Sequence, residues 1–334
     1  MQMPFIRYKK QKGVFKVMIR TILVIGGAGF IGSNMCKYLV SNKDVNVICV
    51  DNLYTGAYKN ISPLLSCPNF RFIEHDIIYP LNLHEKIHQI YNFACPASPV
   101  HYQKNPIYTA KINFIGILNA LELARKNQAS LLQASTSEIY GNPLQHPQTE
   151  SYWGNVNTIG PRSCYDEGKR ITETLCADYH KIYGVNTKIA RIFNTYGPNM
   201  SPNDGRVISN FITQALKGNP LTIYGKGVQT RSFCYIDDLV PGLIALMESD
   251  INTPVNLGNP EEIAIKTLAQ IIIEMTNSSS VLITKELPID DPVMRKPDIS
   301  FATKNLHWSP NIGLDVGLSK TINYFKNIIE GEDK

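Results

Sequence analysis

A chain of 334 residues exceeds the usual single-domain range, so one large domain plus a smaller one is expected, with a sizeable core. The formal charge of +5 looks basic, but Arg7, Lys9, Lys10, Lys12, Lys16 and Arg20 all fall in the opening stretch, and the remaining basic residues nearly balance the 28 acidic ones, which argues against a nucleic-acid surface. No run approaches the roughly 20 apolar residues that cross a bilayer, and seven cysteines, an odd number with no CxxC pair, fit reduced thiols in the cytosol.

The opening "MQMPFIRYKKQKGVFKV", residues 1–17, lacks a long apolar stretch and a small-residue cleavage site. It is expected to be a disordered, vector-derived or start-codon-derived extension, with Met18 as the natural start. "RTILVIGGAGFIGSNMCKYLVSN" then runs from an apolar strand through a glycine-rich turn into a helix with apolar positions at Ile31, Met35, Leu39 and Val40. "DVNVICVDN", "FRFIEHDI", "QIYNFACPA", "ASLLQASTS" and "NTKIARIFN" read as further strands, alternating with helical patterns such as "PIYTAKINFIGILNALELARK" and "YDEGKRITETLCADYHKIYG". Alternation of this kind predicts an α/β fold, a Rossmann-type doubly wound parallel sheet. After about residue 195, prolines and glycines punctuate shorter elements. The expected division is a nucleotide-binding domain over 18–195, rejoined by 230–250, and a smaller α/β substrate domain from 196–229 and 251–330.

"GGAGFIG" contains Gly27-x-Gly29-x-x-Gly32 and Gly26-x-x-Gly29-x-x-Gly32. Glycines admit a pyrophosphate to the backbone, and the helix start offers it free N–H groups and a positive dipole. Asp51, at the end of the second strand, is placed to accept ribose hydroxyls and to repel a 2′-phosphate, which favours NAD over NADP. Asp76, at the end of the third strand, is a weaker candidate for the adenine edge.

"SCYDEGKR" sets Tyr165 one helical turn before Lys169. A free phenol titrates near 10, and an ammonium one turn away, together with a positive nicotinamide ring, favours the phenolate and makes Tyr165 a base. Thr136, at the end of "QASTS", is placed to share the substrate hydroxyl, and Lys169 to hold the nicotinamide ribose.

With the glycine turn, Tyr165-x-x-x-Lys169 and a Ser/Thr strand between them, the chain resembles the extended short-chain dehydrogenase/reductase superfamily. The segments "ACPASPVHYQKNP", "QASTSEIYG", "GPRSCYDEGKR", "NDGRVISNF", "YGKGVQTRSFCYIDDLV" and "DDPVMRKPDI" resemble its UDP-glucuronate decarboxylase (UDP-xylose synthase) branch, from residue 20 to about 327. The resemblance implies oxidation of the sugar at C4, loss of carbon dioxide from the β-keto acid and return of the hydride, with no net redox change. It adds Phe30, Ile31, Asn52, Thr55, Gly56 and Ile77 to the cofactor set. Lys111, Asn119, Asn194, Arg206, Val207 and Tyr224 become substrate contacts, Arg231 lies near sugar and diphosphate, and Arg295 lies on the UDP. It also implies a homodimer packed through the "NFIGILNALELARK" and "YDEGKRITETLCADYHKIY" helices.

Related 4,6-dehydratases carry Thr-Asp-Glu where this chain has Thr136-Ser137-Glu138. A serine is too weak an acid to expel hydroxide, whereas a decarboxylation expels none. Glu138 is left near C5, to position the carboxylate-bearing carbon or to handle its proton. Two departures keep a dehydratase acting on UDP-N-acetylglucosamine as an alternative. Asn199 in "GPNM" replaces the family's arginine, removing a charge close to the expected sugar site, and Thr158 replaces a loop proline. A non-catalytic NAD-binding sensor is a second alternative, one that would typically have lost Tyr165 or Lys169.

No metal site is expected. "HEKIH", His84 to His88, lies in a connector without a third ligand. Cys164 is read as a buried small residue, and Asn60 and Asn277 match glycosylation acceptors only formally.

Overall fold

The computed structural model describes residues 19–287 and 294–332. The expected extension over residues 1–17, and Met18 with it, lies outside the described residues. Six strands come first in the chain: β1 (Arg20–Ile25), β2 (Val45–Asp51), β3 (Phe70–Glu74), β4 (Gln89–Asn92), β5 (Ser130–Thr136) and β6 (Thr187–Ile192). Shorter ones follow: β7 (Thr195–Tyr196), β8 (Leu221–Tyr224), β9 (Thr230–Ser232), β10 (Cys234–Tyr235), β11 (Pro254–Leu257), β12 (Glu262–Ala264), β13 (Leu282–Lys285) and β14 (Met294–Arg295).

Seven of these form one parallel sheet in the order β11-β6-β5-β4-β1-β2-β3. Successive side chains of a strand point to opposite faces, and β1 shows the result. Ile22 and Val24 pack on one face with Met35 and Leu39 of the Phe30–Val40 helix and Leu239 and Leu243 of the Ile236–Glu248 helix. Leu23 and Ile25 pack on the other with Leu121 and Ala124 of the Ile117–Asn127 helix and Cys176 of the Ser163–Tyr183 helix. Apolar cover on both sides is why these strands read as continuous hydrophobic runs.

Strand order reverses between β1 and β4, which opens a crevice at the carboxyl ends of the strands, where ligands of such sheets bind. The return to this sheet runs further than the expected 230–250. β11 pairs in parallel with β6, Asn256 opposite Arg191, so Pro254–Leu257 belongs to the large sheet. A four-residue strand carries too little pattern to announce its partner from sequence.

The smaller part holds two sheets, β12-β9-β14 and β13-β8. In the first, β14 lies parallel to β9 with Arg295 beside Arg231, so two guanidinium side chains leave one face together.

Candidate active site

One cleft of about 620 Å³ runs from the glycine turn, past the ends of β1, β4, β5 and β6, to the smaller sheets. At its first end Gly26 has φ +75°, and a Cβ there would lie 2.7 Å from Ala94 N. A Cβ on Gly32 would lie 2.1 Å from the Gly26 carbonyl oxygen, so only glycine lets the helix start so near the turn. Gly29 caps the Phe30–Val40 helix without any side-chain acceptor and lines the cleft, so the first helical amides remain available to an anion.

Asp51 accepts hydrogen bonds from the N–H groups of Ala28 (3.0 Å) and Leu53 (2.8 Å). Burial pushes its carboxyl up, while the amides of Leu53, Ala28 and Gly29 pull it back. Phe30, Ile31, Asn52, Thr55, Asp76 and Ile77 line the same end. Asp76 accepts from Tyr108 Oη (2.5 Å) and from the Ile78 N–H (3.1 Å). Gly56 does not reach the cleft lining. It packs under Asp51, where a Cβ would come within 2.8 Å of the carboxylate. A turn that only glycine fits, an open helix start and a carboxylate at the neighbouring strand end together suit a dinucleotide.

At the second end, β5 delivers Thr136, and a 3₁₀ turn over Ser137–Tyr140 follows. Thr136 Oγ1 accepts the Glu138 N–H at 3.2 Å. Across from it the Ser163–Tyr183 helix brings Tyr165 and Lys169 into the lining, both nearly fully buried. The expected lowering of the phenol is not what this arrangement produces. Burial is the largest influence and pushes Tyr165 up, Cys95 adds to it, and the Thr136 hydroxyl, close enough to hydrogen-bond the phenol, pulls the other way. Lys169 Nζ instead donates to the Ala134 carbonyl at 2.8 Å and lies 5.8 Å from the Tyr165 ring centroid, with burial lowering its own pKa. Among the protein's own groups desolvation outweighs a charge held at that distance, and the expected lowering then falls to the positive nicotinamide ring that the pattern also called on.

Glu138 lies among guanidinium groups. Arg162 Nη2 donates to its Oε2 at 2.5 Å, and Arg295 Nη2 approaches the same oxygen at 3.5 Å. Burial alone would raise the carboxyl, but the charges of Arg295, Arg162 and Arg231 win and hold Glu138 at about 2. Of the two roles expected for it, an ionised carboxylate among guanidinium groups suits the positioning one better. Arg295 is almost fully buried and also donates to the Ser137 carbonyl and, at 2.9 Å, to the Gly141 carbonyl. Its terminal nitrogens thus brace the 3₁₀ turn, and the side chain also lines the cleft, where the UDP contact was expected of it. Arg231 donates to the Thr230 carbonyl at 2.9 Å.

Asn194, Arg206, Val207 and Tyr224 also line the cleft. Arg206 is clamped by Asp204 through three contacts of 2.7 to 2.9 Å. Two expected contacts are absent from the lining. Lys111 is exposed on the outer face of its helix, and Asn119 donates to the Ile77 carbonyl at 2.8 Å. Both were expected from the resemblance, which does not fix the direction in which their side chains leave the helix. Asn199 is displaced from its expected place as well. Its Nδ2 donates to Ser33 Oγ at 3.1 Å, beside the glycine turn, so the charge it removes belongs to the cofactor end and not the sugar end. Thr158 lies in an exposed loop.

Several lining residues were not singled out from sequence: Arg162, Asp204, Cys95 and Tyr102, the last stacked on Tyr165 with centroids 5.0 Å apart and planes 5° from parallel. A cation three residues before the helical tyrosine was the available signal for Arg162. Among the described residues, no cluster of His, Cys, Asp or Glu is arranged to hold a metal ion.

The family description "NAD dependent epimerase/dehydratase family" matches residues 22–258. UDP-glucuronic acid decarboxylase 1 of Arabidopsis thaliana is 52% identical over 313 residues, covering 94% of this chain and 71% of that protein. Its namesake in Xenopus tropicalis is 51% identical over 312 residues, covering 93% and 73%. Among solved structures, the UDP-glucuronic acid 4-epimerase of Bacillus cereus in complex with UDP-glucuronic acid and NAD superposes with a TM-score of 0.83 at 29% identity, covering 92% of this chain and 99% of that one. A glycine turn, a Tyr165–Lys169 pair and a shared cleft thus coincide with matches across nearly the whole length, and the chain belongs to the NAD dependent epimerase/dehydratase family, grouped there with the UDP-glucuronic acid decarboxylases.

Proposed function

We propose that this protein is an NAD-dependent lyase that converts UDP-glucuronate to UDP-xylose and carbon dioxide through a UDP-4-keto sugar. The observation that carries the reading, beside the relatives, is the sugar end itself. It presents Ser137 where a dehydratase needs an acid, and it surrounds one carboxylate, Glu138, with three guanidinium groups, a net positive site for an anionic sugar.

The glycine turn, Asp51, Tyr165 and Lys169 would hold the dinucleotide. When bound, NAD takes up and returns the C4 hydride and brings a positive ring beside the phenol. Tyr165 accepts the proton of the sugar 4-hydroxyl, with Thr136 sharing that hydroxyl. The resulting 4-ketone lies β to the carboxylate, so the C5–C6 bond pair flows into the ketone as an enolate while carbon dioxide leaves. Glu138, which its guanidinium neighbours hold ionised, orients the sugar, and the enolate is reprotonated at C5. Tyr165 finally returns its proton to the 4-oxygen, and the redox state is restored.

We place the protein in the cytoplasm, supported by seven cysteines that are all free thiols. We also propose a homodimer. Its support is the exposed apolar side chains of Ile107, Phe114 and Ile115 on one helical stretch and of Ile182 at the end of the Ser163–Tyr183 helix. Light scattering of the purified protein tests it.

A panel of UDP-sugars with mass analysis of products tests the activity. UDP-glucuronate should yield carbon dioxide and a UDP-pentose. Consumption of UDP-N-acetylglucosamine instead would establish the dehydratase alternative, and binding of NAD with no turnover of any sugar would establish the sensor.

A further inference from the structure

Arg162 has no role in the chemistry described so far, yet it touches both halves of the sugar end. Its carbonyl accepts the N–H groups of Tyr165 and Asp166, each at 3.0 Å, so it caps the first turn of the helix that carries the phenol. Its guanidinium reaches across the cleft and donates to Glu138 Oε2 at 2.5 Å, and Glu138 belongs to the turn that ends β5. Both side chains of this ion pair are largely buried, 12% and 18% exposed. On its other side the Arg162 Nε is 4.0 Å from Asp166 Oδ2.

We infer that Arg162 is a positioning residue for the decarboxylation, one that acts through Glu138 by fixing the carboxylate's charge and by setting the spacing between Glu138 and Tyr165. This inference rests on the reading of the cleft as a UDP-glucuronate site. Arg295 cannot substitute for Arg162. It stands 3.5 Å from the same oxygen, its two terminal nitrogens already donate to the carbonyls of Ser137 and Gly141, and its buried Nε makes no hydrogen bond. The groups that face Glu138 are Arg162, Tyr165 and Asp166 from the start of the helix, Arg295 from β14, Arg231 from β9 and Tyr102 from the Pro99–Tyr102 helix. With Arg162 neutral, the carboxylate keeps its burial and the nearby Asp166 while losing its shortest cationic contact. A nearby opposite charge is worth about 1–3 pKa units, so its protonation moves up by that amount.

The test is a double-mutant cycle on carbon dioxide release, with Arg162→Met, Glu138→Gln and the pair, each measured from acid to neutral pH. Arg162→Met should lower kcat at least about tenfold and move the acidic limb of kcat/KM up by about 1–3 pH units, while Arg162→Lys restores the limb. In the Glu138→Gln background, adding Arg162→Met should change kcat by no more than about twofold, because the partner it works through is gone. Losses that multiply in the double variant, or an acidic limb that Arg162→Met leaves in place, would overturn the inference. If Arg162→Met fails to fold, the neutral but polar Arg162→Gln takes its place in the same comparison, since a purely structural residue would lose activity without moving the limb. Wild-type protein that releases no carbon dioxide from UDP-glucuronate sinks the functional reading instead, so the two failures are distinct.

Discussion

Gly168 lies between Tyr165 and Lys169 on the inner face of their helix, and replacing it with alanine tests how tightly the pair is placed. A Cβ at Gly168 would lie 2.7 Å from Asn113 Nδ2, 3.0 Å from its Cβ and 3.1 Å from its Cγ. Ordinary contacts are about 3.5–4 Å, so the two helices must part by roughly 0.7 Å. Asn113 has little freedom to turn aside. It is 1% exposed, sits in a π-helical turn over Ile112–Gly116, and its Nδ2 donates to Cys95 Sγ (3.2 Å) and the Thr109 carbonyl (3.0 Å). Overpacking of this kind costs about 1–3 kcal/mol, and the better helix propensity of alanine returns about 1 kcal/mol, so the fold loses little. Catalysis should lose more, because a misplacement approaching 1 Å can reduce turnover about 100-fold. The expected result is a drop of about 10- to 100-fold in kcat for carbon dioxide release, with NAD retained and a melting point lowered by only about 2–6 °C. A Gly168→Ala enzyme within about twofold of wild-type kcat would show that the helix position does not govern the chemistry.

Tyr165→Phe should abolish formation of the UDP-pentose while the purified protein still carries NAD by absorbance, and turnover surviving in that variant would dismiss the phenol as base. Gly32→Ala places a methyl 2.1 Å from the Gly26 carbonyl and should yield protein without dinucleotide, checked by cofactor extraction. Asp166 offers a pH test of stability. Burial, then Glu138, raises its carboxyl to about 7, so it favours folding while protonated and that contribution fades as pH rises toward and past 7. Asp166→Asn should therefore raise the melting temperature at pH 8 and leave it nearly unchanged near pH 4, and a gain confined to acid pH would reverse the reasoning.

The nucleotide half was legible because its chemistry is written in short local patterns. A strand, a turn that only glycine fits and a carboxylate at the next strand end are contiguous enough to read, and Tyr165 and Lys169 share one helix. What escaped depends on distant segments meeting. β11 joins β6 across more than sixty residues, and Arg295 reaches Ser137 from the far end of the chain. Lys111 and Asn119 misled because the resemblance carries over a position in the sequence and not the direction in which its side chain leaves the helix. Arg162 and Asp204 escaped because each derives its importance from one partner, Glu138 and Arg206, that only folding supplies. At Tyr165, sequence spacing reports a neighbouring charge but not the water removed from around it, so the burial that raises the phenol was not legible.

The small turn after β5 has one further consequence. Thr136 Oγ1 receives the Glu138 amide proton while the same hydroxyl lies beside Tyr165, so one oxygen ties the backbone of the turn to the surroundings of the phenol. Whatever shifts the turn therefore shifts the hydroxyl next to which the phenol works. Serine would keep that tie at some cost to the strand, whereas valine would continue the strand and sever it.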